Sequence, residues 1–450
     1  MTLGLHKKNF NLQYGHLIVL GYLVVIFSGA FLLCLPISTK GSGFGSFWDA
    51  LFLSVSATCI TGLTVVNIFA TYSGFGQLII LLLTQIGGLG FMTLIAIILL
   101  FLKRKIDFGK RRLLMESMGL LKMSGIVRLV KRIIVFTLFV EFVGAVLLSF
   151  SFVQQFGFWQ GIWFGIFHSV AAFCNAGFDL VGTASVGSLI GFANNTLVAI
   201  VIGILIVIGG IGFLVWNDVL DNKWNISRYS LHSKITLITT LVLIVFGWIL
   251  FFIFERNDSM KDLGVFDQIW VSFFCSISPR TAGFFMVDLS KMSSGGSFLT
   301  MLFMFVGGSS GSTAGGIKTT TFAILLLNAI RTSQSVRGVF VFKRKIDDNS
   351  IKQASALVVI FASLVVISTI LISLIQPLPL KNIVFEVLSA LCTVGLSLSG
   401  TTALLAPLSR LIIMLLMLIG RVGCVMMIFG LTGKKSNPKI DRLTEKIQIG

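Results

Sequence analysis

Charge is scarce in this sequence. Only 12% of its 450 residues are Asp, Glu, Lys or Arg, and the mean hydropathy is +0.99. Soluble globular domains carry about 25% charged residues, so a water-soluble fold is excluded and an integral membrane protein is indicated. Cysteine is rarer still, with 6 in the chain. Cys34, Cys59, Cys174, Cys275, Cys392 and Cys424 lie in apolar surroundings without paired spacing, which leaves no disulfide framework and no zinc site. No small-x-small cleavage site follows the first apolar run, 17–35, so it reads as an uncleaved helix and not a signal peptide. The lone GSGFG at 41–45 has no strand before it and carries no dinucleotide fingerprint.

What charge there is has a sign and a place. The net charge is +18, and 26 of the 35 Lys and Arg fall in five stretches: the N-terminus to Lys8, 103–132, 223–234, 331–352 and 434–446. Basic residues gather in cytoplasmic loops of membrane proteins. None of the five is long enough to build a folded basic surface for nucleic acid, so the lipid bilayer is the partner this charge implies.

Between these stretches one unit recurs four times. FWDALFLSVSATCITGL, GIWFGIFHSVAAFCNAGF, DQIWVSFFCSISPRTAGF and NIVFEVLSALCTVGL are apolar segments too short to span, each ending in a glycine followed by Leu or Phe: Gly62, Gly177, Gly283 and Gly395. The glycines are 115, 106 and 112 residues apart. Longer runs precede each segment (17–35, 133–152, 235–254, 354–375) and follow it (78–102, 197–219, 298–330, 411–431). A span needs about 20 apolar residues. The expected fold is therefore all-α, with eight transmembrane helices plus four re-entrant pore helices around a pseudo-fourfold pore. Its repeats are expected at 1–112, 113–225, 226–340 and 341–450. Two spans per unit return the chain to one side, so the basic linkers and both termini are expected in the cytoplasm.

Non-helical backbone at membrane depth needs protein or a watery cavity around it. Four such loops about one axis can offer a ring of carbonyls to a cation. The candidate filter residues are Cys59, Ile60, Thr61 and Gly62; Cys174, Asn175, Ala176 and Gly177; Arg280, Thr281, Ala282 and Gly283; and Cys392, Thr393, Val394 and Gly395. Glycine suits the vertex because it accepts positive φ and brings no side chain.

This design, with SATCITGL, PRTAGF, QIGGLGF at 85–91 and IGRVG at 419–423, resembles the Trk/Ktr/HKT superfamily of potassium transporters, in particular the bacterial Ktr membrane subunit of KtrB/KtrD type. The resemblance implies K⁺ as the transported ion, leaves Na⁺ open as a second, and implies no covalently bound cofactor. It also implies a homodimer in the plasma membrane above a cytosolic ATP/ADP-binding ring of KtrA/KtrC type. Glycine at all four vertices favours potassium, since plant relatives with a serine at the first carry sodium. Ile60 and Asn175 depart from a threonine two places before the glycine, so looser selectivity is expected.

The outgoing runs carry aligned glycine pairs at 87–88, 209–210 and 307–308, with Gly420-Arg421 in the fourth. Only the third extends into a long polar run: Gly307, Gly308, Ser309, Ser310, Gly311, Ser312, Thr313, Ala314, Gly315, Gly316 and then Lys318. Glycine costs about 1 kcal/mol against alanine within a helix, so this helix is expected to unwind. The reading is an intramembrane gating loop, 306–318, beneath the filter, latched by Arg421, whose guanidinium can serve several carbonyls. Close helix packing would explain the glycines but not the lysine.

Other readings compete less well. Cys59, Cys174 and Cys392 share one position, as a metal ring would require, but carbonyl-lined loops turn such side chains outward, where cysteine behaves as a small apolar residue. Arg280 is expected to brace the filter from behind, with Glu386 and Asp49 as candidate partners; Glu141, in mid-span, requires a polar partner. The tetrad at 308–311 matches an intramembrane serine protease, yet all four histidines (6, 16, 168, 232) lie upstream of it. An alternating-access symporter would use inverted repeats, and these share one orientation. No enzyme is expected.

Overall fold

A computed structural model describes residues 14–41, 43–90, 126–182, 188–223, 225–334, 338–342 and 344–423. Cys424, the C-terminal basic tail, the N-terminus to Lys8 and most of the 103–132 linker lie outside these residues.

The first repeat has an entering helix α1 (Tyr14–Cys34), a short helix α2 (Phe47–Thr58) and an outgoing helix α3 (Gly74–Leu89). The second has α4 (Ile126–Phe156), α5 (Phe158–Phe173) and an outgoing pair, α6 (Thr196–Ile211) and α7 (Phe213–Asn222). The third has α8 (Leu231–Glu255), α9 (Val265–Ile277) and a broken outgoing pair, α10 (Ser294–Phe305) and α11 (Thr319–Ser333). A two-stranded hairpin, β1 (Phe340–Val341) with β2 (Arg344–Lys345), leads into the fourth: α12 (Asp348–Ile375), α13 (Leu380–Leu391) and α14 (Pro407–Val422).

Local chemistry starts these helices. Ser73, Asn195 and Ser293 cap α3, α6 and α10 by accepting from Gly76, Val198 and Gly296 N–H, and α14 begins with Pro407 at its first position. Three entering helices, Val127–Phe156, Leu231–Glu255 and Asp348–Ile375, are long and apolar enough to cross a membrane. Small residues let the short helices approach. In α1, a Cβ on Gly29 would lie 2.5 Å from Ser54 Oγ, and Gly144 of α4 stands in the same relation to Ser169. Those two serines donate to the Ile26 and Glu141 carbonyls at 2.7 and 2.6 Å.

The outgoing helices differ from expectation. The second, read as continuous over 197–219, turns by 94° between α6 and α7. The hinge is Gly212, at φ +105°, and α3 and α14 likewise end on Gly90 at +83° and Gly423 at +94°. Each of these glycines follows an aligned glycine (87, 209, 420) by three residues. A backbone with positive φ ends an α-helix, and glycine enters that region without steric penalty. Breaking is thus not peculiar to the third repeat. The unwinding expected of the third outgoing helix is present, the second is bent as well, and the outgoing helices α3, α6, α10 and α14 have 16, 16, 12 and 16 residues.

Candidate functional site: a ring of four loops and the segment beneath it

The short helices α2, α5 and α13 end alike. The N–H groups of Ile60 and Thr61 return to the Ala57 and Ser56 carbonyls, those of Asn175 and Ala176 to Ala172 and Ala171, and those of Thr393 and Val394 to Ala390 and Ser389. This is a Schellman closure, with a non-glycine residue at the left-handed position. Ile60, Asn175, Thr281 and Thr393 have φ of 57°, 56°, 78° and 51°, and Gly62, Gly177, Gly283 and Gly395 have 85°, 67°, 77° and 94°. The residue between each pair has negative φ. Alternation of sign turns successive peptide groups the same way, which gathers like dipoles into a concavity. The third loop reaches that form differently: Pro279 has no N–H, and the Ala282 and Gly283 amides both return to the Ser278 carbonyl. With their amides turned back, the carbonyls of 60–61, 175–176, 281–282 and 393–394 accept no hydrogen bond among the described residues.

The four loops meet. A Cβ on Gly62 would collide with the Ala176 carbonyl oxygen, and one on Gly177 would lie 2.7 Å from that of Ala282. Gly283 faces the Val394 carbonyl in the same way, and Gly395 faces that of Thr61. The contacts close a ring in chain order, 62 to 177 to 283 to 395 and back. Cys59, Cys174 and Cys392 are buried behind it; the Cys174 thiol packs on Gly88 and donates to Gln85 Oε1 at 3.4 Å. The amide of Asn175, oriented to suit its neighbours, donates to the Ala172 and Ile206 carbonyls.

The outgoing helices seat directly beneath. Cβ atoms on Gly87, Gly209 and Gly420 would meet the carbonyls of Thr58, Phe173 and Leu391, which end the three short helices. In the third repeat the chain from Gly307 to Lys318 replaces that seat. Its anchors come from two neighbouring repeats. Ser309 N–H donates to the Gly210 carbonyl at 2.9 Å, Phe213 N–H to the Gly311 carbonyl at 2.8 Å, and Thr313 Oγ1 to the Phe173 carbonyl at 3.3 Å. From the fourth repeat, Arg421 donates to the Thr313 carbonyl and to those of Gly87 and Gly88. Within the segment, Ser309 and Ser310 pair with Thr319 and Thr320, Ser312 Oγ donates to the Ser309 carbonyl, and Lys318 Nζ donates to the Ala314 carbonyl at 2.7 Å. Gly315 and Gly316 lie against Thr393 and Cys392, and a Cβ on Gly308 would strike Ala314. Ser309 is therefore committed to Thr319.

One expected pairing changes and one is filled. Arg280 forms no ion pair among the described residues, and its Nε is buried without a partner. Both expected partners are engaged elsewhere: Asp49 with Arg410 at 3.1 Å, and Glu386 with Ser397 and Thr402. Each carboxylate is satisfied by groups packed against its own short helix, which removes the drive to reach the third loop. Glu141 finds its polar partner in Gln85, whose Nε2 donates to Oε2 at 3.2 Å. A polar residue within the apolar run at 78–102 was the available signal for Gln85.

A family profile described as TrkH, cation transport protein, matches residues 15–432. The chain belongs to that family. It is 39% identical over 439 residues to the potassium/sodium uptake protein NtpJ of Enterococcus hirae, a match spanning 96% of each chain. It is 37% identical to Ktr system potassium uptake protein B of Bacillus subtilis, over 92% of this chain and 91% of that one, and 33% identical to protein D of the same system over 98% of each. In fold, this TrkH-family chain is similar to the crystal structure of the potassium transporter TrkH from Vibrio parahaemolyticus, with a TM-score of 0.75 at 17% identity, over 95% of this chain and 86% of the other. It is a multi-pass membrane transport protein and not an enzyme.

Proposed function

We propose that this chain takes up K⁺ across the plasma membrane, down its electrochemical gradient, through the four-loop ring. The observation that carries the reading is the closed cycle of glycines with unbonded carbonyls beside it, since such carbonyls can replace a cation's hydration shell. Relatives named for potassium or potassium/sodium uptake support the ion, and keep Na⁺ as a second one. Moving one charge through 100 mV is worth about 2.3 kcal/mol, so no pump is needed. The segment 307–318 acts as a gate below the ring, with Arg421 and Lys318 holding it. The chain works as a homodimer, with basic linkers and termini in the cytoplasm, where a nucleotide-binding ring of KtrA/KtrC type regulates it. The name of the relatives, a Ktr system, supports a multi-subunit assembly.

The test is growth of a K⁺-uptake-deficient bacterium at low K⁺, with and without a cytosolic partner, alongside K⁺ flux into liposomes holding the purified protein. Rescue and K⁺ flux are expected. A well-expressed protein giving neither sinks the reading.

A further inference from the structure

Nine residues before each vertex glycine, the repeats carry Leu53, His168, Phe274 and Glu386. The two polar members stand in diagonally opposite quarters, and both are fully buried. Each reaches the segment that leaves its own glycine. His168 Nδ1 lies 2.8 Å from the Phe164 carbonyl, which fixes the proton on that nitrogen, and Nε2 then accepts the Leu180 N–H at 3.4 Å. Its ring also packs at 5.1 Å from Phe152 and 6.2 Å from Phe284, the residue after Gly283. Glu386 accepts from Ser397 Oγ at 2.9 Å and from Thr402 Oγ1, while Ser397 Oγ accepts the Thr402 N–H at 3.3 Å. Leu180 and Ser397 stand three and two residues beyond Gly177 and Gly395. Leu53 and Phe274 have no polar side-chain atom to offer, so quarters one and three lack this support from the equivalent position.

We propose that His168 and Glu386 are positioning residues that hold the outer ends of the second and fourth loops, and so set the ion preference of the ring. This rests on the transport reading above. Neither side chain touches the ion. Each fixes the backbone just outside a vertex glycine, and hence the separation of the carbonyls across that diagonal. A buried hydrogen-bonded pair keeps its geometry better than an apolar contact, because leaving a partner unsatisfied is costly. From this position the support is twofold; in the third quarter Ser278 Oγ, five residues before Gly283, donates to the Phe284 carbonyl instead.

The experiment uses the full chain in liposomes and reads the ratio of K⁺ to Na⁺ flux. His168→Phe and Glu386→Leu install what the third and first repeats already carry, and Glu386→Gln keeps an acceptor. We expect the first two to lower the ratio about fivefold each, the worth of one hydrogen bond, with K⁺ flux retained and Glu386→Gln close to the unaltered protein. An unchanged ratio in both substituted proteins overturns the proposal. Should they fail to fold, Ser397→Ala with Thr402→Val removes the other end of the fourth brace, and an unchanged ratio there overturns it equally. Absence of K⁺ flux in the unaltered protein would instead sink the transport reading.

Discussion

Arg421, in the last turn of the fourth outgoing helix, donates to the carbonyl of Thr313 in the third repeat, and its other nitrogen reaches Gly87 and Gly88 in the first. One side chain thus ties the end of α14 to the segment 307–318 and to the end of α3. Replacing it with alanine removes the charged bonds to the segment, so Arg421→Ala is expected to raise K⁺ flux about tenfold at equal expression. Lysine, with a single point charge, should restore little of the latch. Liposome flux that is unchanged or lower in the alanine variant would remove the gate from the proposed function.

Gly62→Ser and Gly283→Ser address the ring itself. Both positions have strongly positive φ, and an added Cβ would strike a neighbouring loop's carbonyl. Left-handed backbone alone costs a non-glycine residue about 1–2 kcal/mol, and the displaced carbonyl is one the ion would use. The expected result is a loss of K⁺ preference over Na⁺ of about tenfold, the equivalent of 1.4 kcal/mol, seen as failed growth rescue at low K⁺ with protein still in the membrane. Unimpaired rescue would speak against carbonyl coordination.

Gly212→Ala tests the bend that lies outside the segment 307–318. The hinge has φ +105°, and a Cβ there would sit 2.8 Å from the Ser310 carbonyl oxygen. Strain of about 1–3 kcal/mol should pull α7 away and free Gly311 from Phe213. Flux should rise, though less than in Arg421→Ala. If thermal stability falls while flux stays constant, the hinge is only structural.

Gln85 and Glu141 allow a stability test independent of transport. Gln85→Leu leaves the buried carboxylate without its amide donor and should cost about 1–3 kcal/mol. Glu141→Gln keeps a polar pair and should cost less. Melting of the detergent-solubilised protein would show the order, and equal melting of the two variants would contradict it.

The helical membrane fold and the left-handed glycines at 62, 177, 283 and 395 were legible because two signals are written plainly: apolar length for the spans, and a glycine ending each short aromatic segment. The segment at 307–318 was legible for the same reason, since polar residues in a membrane span need a place to go. The bend at Gly212 and the helix ends at Gly90 and Gly423 were not. A single glycine in an apolar run costs little on its own, and only the backbone reveals that it has positive φ. Pairings within the membrane were harder still. Asp49 and Glu386 carry the right charge for Arg280, but contact is decided by how α2, α13 and α14 pack, and Arg410, Ser397 and Thr402 occupy the carboxylates instead.

The ring of Gly62, Gly177, Gly283 and Gly395 is closed by one polypeptide and not by four copies. In an assembly of identical subunits any mutation strikes every side of the pore at once, so a change tolerable once is often lethal fourfold. Here each quarter can drift alone while its neighbours keep the ring closed. That freedom accounts for a proline and an arginine in one loop, a histidine behind another and a glutamate behind a third.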